Sequence, residues 1–284
     1  MTHFVRPAYG QGCFADLPAL IQSCLTDQAF PTGLSGLDSA LLRHYDAVIV
    51  VLADGFGWRF FERFAERDPF LQRFAGAGTV ACWTSQFPST TAAHVTTLHS
   101  GLPVGQHGVF EWQYYEPTLD ALIAPLLFSF AGTKQRETLQ TAGITPDQLY
   151  PPRTLYQTLA QAGVTSSVYQ HRDYTPSTYS DWMYRGATVK PYITLPEALL
   201  NLRLQLTETP APAYCFLYFD KIDTISHEYG PDSPQVDAEI ETFLFCMERA
   251  LMQPLLKTAK NTLLILTADH GQTEVNPRTT LYLN

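Results

Sequence analysis

Apolar runs in this chain end repeatedly in side chains that bind metals. In "NTLLILTADHGQTEVNP" (261–277) the apolar residues 263–266 give way at Thr267 to Asp269 and His270, and then to a glycine. "YCFLYF" is followed by Asp220 and Asp223, with His227 four residues beyond Asp223, a spacing that puts both side chains on one face of a helical turn. "VIVVLA" ends in Asp54. Carboxylates and imidazoles in these proportions suit zinc or a similar divalent ion with no thiolate needed. Taken singly, each piece has a plainer explanation. Asp54-Gly55 reads as a turn, and Asp223 with His227 as a solvated helix pair.

A fourth piece supplies a nucleophile. "FPSTTAAHVTTLHSG" (87–101) places Ser89, Thr90 and Thr91 just before an apolar-periodic run. One reading is a helix cap. The other is phosphoryl chemistry, because backbone N–H groups at a helix N-terminus stabilise an anion and a hydroxyl beside a divalent ion loses its proton readily.

These residues need a scaffold that gathers strand ends. "DAVIVVLADGFG" followed by "WRFFERFAER" predicts strand, glycine turn and helix. Residues 78–103 predict a second strand, a turn and a short helix ended by Gly101 and Pro103. Helical "PRTLYQTLAQAG", strand "VTSSVYQH", helical "LPEALLNLRLQL", strand "AYCFLYFDKID", one long helix over 233–259 and strand "NTLLILTADHG" then alternate. Such alternation argues for an α/β fold, a mostly parallel central sheet with helices on both faces, which binds ligands at the carboxyl ends of its strands. Residues 110–150, rich in aromatics and proline, read as an excursion or small cap over that crevice within a single domain, 1–284.

At 284 residues and 45% hydrophobic content the chain can bury a large core. Its 18 basic residues are scattered against 27 acidic ones, for a net charge of −9, which disfavours nucleic acid or an anionic membrane as partner. Cys13, Cys24, Cys82, Cys215 and Cys246 are odd in number with no Cys-x-x-Cys pair, so neither a disulfide framework nor a thiolate zinc site is indicated. No signal-peptide pattern opens the chain and no run approaches a membrane span, which makes a cytoplasmic protein the expectation.

In this order "LADGFG", "FPSTTAAHVTTLHSGLPVGQHGV", "FDKIDTISHEYGP" and "TADHG" resemble the blocks of the nucleotide pyrophosphatase/phosphodiesterase branch of the alkaline phosphatase superfamily. The resemblance implies an alkaline-phosphatase-like fold and two divalent metals, zinc first, with manganese or magnesium as alternatives. One metal would be held by Asp54, Asp269 and His270, with Thr91 touching it as nucleophile. The other would be held by Asp223, His227 and a further histidine. Thr90 is the near rival to Thr91, and Ser89 a distant one.

His94 stands where family members often carry an asparagine that donates to the phosphoryl oxygen, and it is a candidate donor or a packing residue. His107 reads as structural. Trp112, Tyr114 and Tyr115 are candidates for stacking on a base or leaving group, with packing of the excursion as the alternative.

The implied activity is phosphodiester or nucleotide pyrophosphate hydrolysis through a phospho-threonine, on a small phosphate ester with a nucleotide among the candidates. A phosphomonoesterase, a phosphonate hydrolase or a phosphoglycerate mutase would share the ligands. A sulfatase is disfavoured, because there is no Cys-x-Pro-x-Arg stretch.

The family's last metal-binding histidine follows the Asp-His-Gly strand by many residues, and residues 272–284 contain none. His3, His44, His94, His99, His107 and His171 offer no replacement that spacing singles out. The resemblance therefore implies either a chain whose C-terminal part is missing or an incomplete second site; "TTLYLN", which reads as the start of a strand, favours the first. A non-catalytic nucleotide- or metal-binding protein is the reading from another class. Oligomeric state is not legible.

Overall fold

Residues Ala47–Ala53 form strand β1 and are buried at every position, as a strand covered on both faces requires. The structure is a computed structural model, and it describes residues 5–258 and 261–279. Strands β2 (Tyr114–Glu116), β3 (Ala121–Ala124) and β4 (Ser129–Phe130) follow. After them come β5 (Thr165–His171), β6 (Ala187–Tyr192), β7 (Ala213–Phe219) and β8 (Thr262–Thr267). The main sheet has the order β6-β5-β7-β1-β8 and every pairing in it is parallel.

Alternation along each strand splits the core in two. Val48, Val50 and Leu52 join Tyr214 and Phe216 under the helices Leu17–Leu25, Thr91–Ser100 and Leu155–Gln161. Ile49, Val51, Cys215 and Leu217 face the helices Trp58–Ala65, Pro69–Ala77, Leu195–Glu208 and Pro234–Cys246 on the opposite side. The expected parallel sheet with helices on both faces is thus present. Among the described residues no helix is long and apolar enough to cross a membrane.

Three local expectations change. Residues 79–85 are no strand of the sheet; they run beside the N-terminal segment through one bridge, Cys13 to Thr84. Both sides of β1 are already taken by β7 and β8, so no slot beside it remains. An unexpected strand, β6, forms at the sheet edge, the place where the missing N–H of Pro191 is tolerated.

The long helix after Pro234 widens into a π-segment at Met247–Met252 before Gln253–Thr258. Pro254 has no N–H to give the carbonyl of Ala250, which accepts from Arg203 Nη1 at 3.4 Å instead.

The excursion contains the antiparallel sheet β2-β3-β4. Residues 280–284, most of the further strand expected at 279–284, lie outside the described residues.

Candidate active site

Parity decides which strand-end side chains meet. Asp54 continues the alternation of Val48, Val50 and Leu52, and so projects on the face that carries the helix Thr91–Ser100. Asp269 follows Leu263 and Ile265 in the same way. The loops bearing these carboxylates are locked by glycine. A Cβ on Gly57 would stand 2.4 Å from Gly271 Cα, so the turns after β1 and β8 pack backbone against backbone. Gly55 adopts φ 73° and donates its N–H to Asp269 Oδ1 at 3.1 Å, and the His270 N–H donates to the same oxygen at 2.9 Å.

Thr91 is the first residue of its helix, and the preceding Thr90 makes no side-chain cap. A hydroxyl cap was expected here; instead Thr91 Oγ1 faces the carboxylates. It lies 3.4 and 3.5 Å from the two oxygens of Asp54 and 3.2 Å from His270 Nε2. The Nε2 atom is also 3.4 Å from Asp54 Oδ1, 3.5 Å from Asp269 Oδ2 and 4.0 Å from Asp223 Oδ1. Thr90 and Ser89 line the same cleft without such contacts.

The electrostatics call for a cation. Asp54 is 3% exposed and Asp269 1%. Burial first, and then the charges of Asp269 and Asp223, push the Asp54 carboxyl well above its ordinary range, against a hydrogen bond from the Tyr218 hydroxyl. Asp223 is also raised, chiefly by burial, although His227 and His270 pull it back. Asp269 Oδ2 is buried and accepts no hydrogen bond.

Among the described residues no Lys or Arg pairs with Asp54, Asp223 or Asp269. Asp54, Asp269 and His270 offer ligand atoms that all lie within 4.8 Å of one another. Two carboxylates, one of them with an orphaned buried oxygen, and an imidazole fit a divalent ion, whose charge reverses the repulsion.

Asp223 and His227 lie on the helix Lys221–Tyr229, with His227 Nε2 3.5 Å from Asp223 Oδ2. This pair is open, with side chains 17% and 76% exposed. Gln272, which the sequence did not single out, donates its amide to Asp223 Oδ1. Among the described residues the only group of three or more such ligands is Asp54, Asp269 and His270, so the pair has no gathered third partner.

His94 does not reach the cleft. It is fully buried; Nδ1 hydrogen-bonds the Thr90 carbonyl at 2.8 Å and Nε2 accepts from the Gln86 N–H at 3.1 Å. With both ring nitrogens engaged by backbone, the expected donor to a phosphoryl oxygen is absent there, and burial holds its pKa down at about 4. His107 packs as expected, 2.9 Å from Thr97 Oγ1.

The three aromatics also part company. Tyr114 is core, its ring 4.4 Å from that of Phe110, and Tyr115 on the opposite face of β2 donates to Asp120 Oδ1 at 2.6 Å. Only Trp112 lines the cleft.

That cleft measures about 850 Å³. Thr91, Asp223, His227 and His270 occupy one end, and Trp112 and Arg136 of the excursion form part of its wall. Tyr218 and Tyr174 line it as well, the latter donating to Asp220 Oδ2 at 2.6 Å. Tyr218 was findable, because the alternation of Tyr214, Phe216 and Tyr218 aims its hydroxyl at the face of Asp54.

The chain is 23% identical over 249 residues to venom phosphodiesterase 2 of Crotalus adamanteus, covering 81% of this chain and 27% of that protein. It is 24% identical over 241 residues to venom phosphodiesterase of Naja atra, covering 81% and 26%. It therefore spans about a quarter of the length of these curated relatives.

Among solved structures, murine ectonucleotide pyrophosphatase/phosphodiesterase 5, captured with AMP as an inactive variant, shares the fold at a TM-score of 0.59. Identity is 21%, over 81% of this chain and 58% of that one. Phosphonoacetate hydrolase from Sinorhizobium meliloti follows at 0.54 and 17%, over 81% and 58%. Residues 48–284 match the model of the type I phosphodiesterase / nucleotide pyrophosphatase family, and by that match the chain belongs to this family.

Proposed function

We propose that this chain carries the phosphoryl-transfer centre of a metal-dependent phosphodiesterase, with Thr91 as nucleophile. The carrying observation is the convergence of Thr91 Oγ1, Asp54 and His270 within 3.5 Å at a helix N-terminus. Asp54, Asp269 and His270 would hold one divalent ion, zinc in the first instance, and Asp223 and His227 would contribute to a second. Such ions supply Lewis-acid charge that eases loss of the hydroxyl proton and neutralises the phosphoryl oxygens.

Thr91 Oγ1 forms a bond to phosphorus as the bond to the leaving oxygen breaks. Water then cleaves the phospho-threonine, returning the hydroxyl and releasing the phosphate monoester. The helix N-terminus turns its free amides toward the anion. Tyr218 and Gln272 fix the carboxylates of Asp54 and Asp223 by hydrogen bonds, so that little reorganisation accompanies the transfer. The substrate is a small phosphate ester, with a nucleotide favoured by the AMP held in the murine neighbour.

The test is Thr91→Ala in the zinc-loaded protein, assayed on bis(para-nitrophenyl) phosphate and on the para-nitrophenyl monoester. Diester turnover should fall by roughly a millionfold, the size seen for losing a covalent nucleophile, and Thr91→Ser should restore part of it. Unchanged diester turnover in Thr91→Ala would end this reading. A monoester rate well above the diester rate would move the chain among the phosphomonoesterases.

A further inference from the structure

Beyond the phosphoryl end, the cleft holds a buried amide that the mechanism does not use. Gln170 is 6% exposed and lines the cleft, yet its Oε1 is buried and has no hydrogen-bond partner. Leaving such an acceptor unmade is costly, so an orphan of this kind in a cleft wall points to a ligand.

Its place in the sheet is defined by register. Leu52 pairs with Tyr218, and Tyr169 with Leu217, so Gln170 stands level with Tyr218 on the next strand. Val168 and Phe216 lie on one face of the sheet, and parity puts Gln170, Tyr218 and Asp54 on that same face. Two strand spacings separate Gln170 from the strand bearing Asp54, roughly 10 Å. That is the reach of one organic arm of a phosphodiester.

The chemistry of the arm follows from what surrounds it. A primary amide is neutral and offers one acceptor and one donor side by side. Asp220, the carboxylate that ends the neighbouring strand, already accepts from Tyr174 at 2.6 Å and Lys221 at 3.0 Å, leaving no free counter-charge there. Tyr179, Tyr184 and Leu126 add apolar surface to the same cleft.

Resting on the phosphodiesterase reading, we propose that Gln170 is a specificity-determining residue that selects substrates whose second arm bears an N–H or O–H donor.

The test compares two probes on the zinc-loaded protein. Bis(para-nitrophenyl) phosphate has no N–H or O–H donor on its arms, and the para-nitrophenyl ester of thymidine monophosphate has both. Gln170→Leu should lower kcat/KM for the thymidine ester about tenfold more than for the bis-ester, the size of one buried hydrogen bond. The melting temperature should hold or rise, because the amide oxygen has no protein partner to lose. Gln170→Met serves as the second variant and should give the same ratio.

Equal losses on both probes, with a lowered melting temperature, would show a structural amide and overturn the proposal, as would an unchanged ratio. If Thr91→Ala leaves both probes hydrolysed, it is the phosphodiesterase reading that has failed. If Thr91→Ala abolishes both and the Gln170→Leu ratio stays at one, the arm subsite alone is wrong.

Discussion

The two carboxylate–imidazole groups of this site are built on different principles. Asp54, Asp269 and His270 sit at the ends of adjacent parallel strands, and their turns meet at Gly57 and Gly271 with no room for a Cβ on Gly57. Asp223 and His227 share one helix, and His227 projects into solvent with a side chain 76% exposed. The first group is therefore preorganised by the sheet, whereas the second depends on Gln272 and on whatever ligand comes to it. Pairing across strands yields a buried, rigid site; pairing along one helix yields an open one.

Metal loading should separate the groups most sharply. Asp54→Ala should remove one tightly held zinc per chain and cut diester turnover by roughly a thousandfold or more. His227→Ala should keep that zinc and lose only the weaker one. Elemental analysis of the two variants after dialysis against zinc checks this, and equal zinc loss in both would erase the distinction.

Backbone substitutions come next. Gly57→Ala drives a Cβ into the Gly271 backbone and should destabilise the fold by about 2–3 kcal/mol, as overpacking does. Gly230→Ala, beside the open pair, meets nothing within 4 Å. It should cost about 1–3 kcal/mol through its backbone alone, because φ 86° with ψ 150° is a conformation that only glycine adopts readily. Urea unfolding of both variants measures the difference.

The far half of the nucleophile helix and the short helix Val104–His107 that follows it give a pH effect. His99 and His107 are buried, and desolvation lowers their pKa values from 6.5 to about 3 and about 4. The unfolded chain takes up these protons first as pH falls below 6.5, so stability is full above that value and is lost progressively toward pH 4. By pH 4.5 the loss should be on the order of 5 kcal/mol for the two together, read as a falling melting temperature in chelator, where metal release does not contribute. A melting temperature flat between pH 7 and 4.5 would contradict neutral burial.

The smallest effect concerns the excursion. Trp112→Ala should raise KM a few-fold through lost contact in the cleft, while Tyr115→Ala, off the cleft, should stay within about 0.5 kcal/mol in every parameter.

How far the residues alone could be read depended on where each one lies. The runs at 47–53 and 213–219 were legible because strands buried on both faces are continuously apolar, and 262–267, half-buried at the sheet edge, because its apolar run is long enough to stand out. The edge strand β6 was not, since Pro191 and half-exposed positions blur its pattern. The false strand at 79–85 looked β-like locally, and only the filled positions beside β1 excluded it. His94 showed the same limit: a histidine one turn from Thr91 is correctly placed by spacing, but its contacts depend on Gln86, eight residues earlier.

By itself, then, the sequence determined the order of the central strands and their helices, the family, and the acid and imidazole residues that end the strands, because periodicity and turn chemistry are local. Tertiary structure alone decided that Gly57 must pack on Gly271, that Trp112 rather than Tyr114 faces the cleft, and that Gln170 Oε1 is left without a partner. Each of those depends on strand register and on which face a side chain takes, and these are set by contacts between residues far apart in the chain.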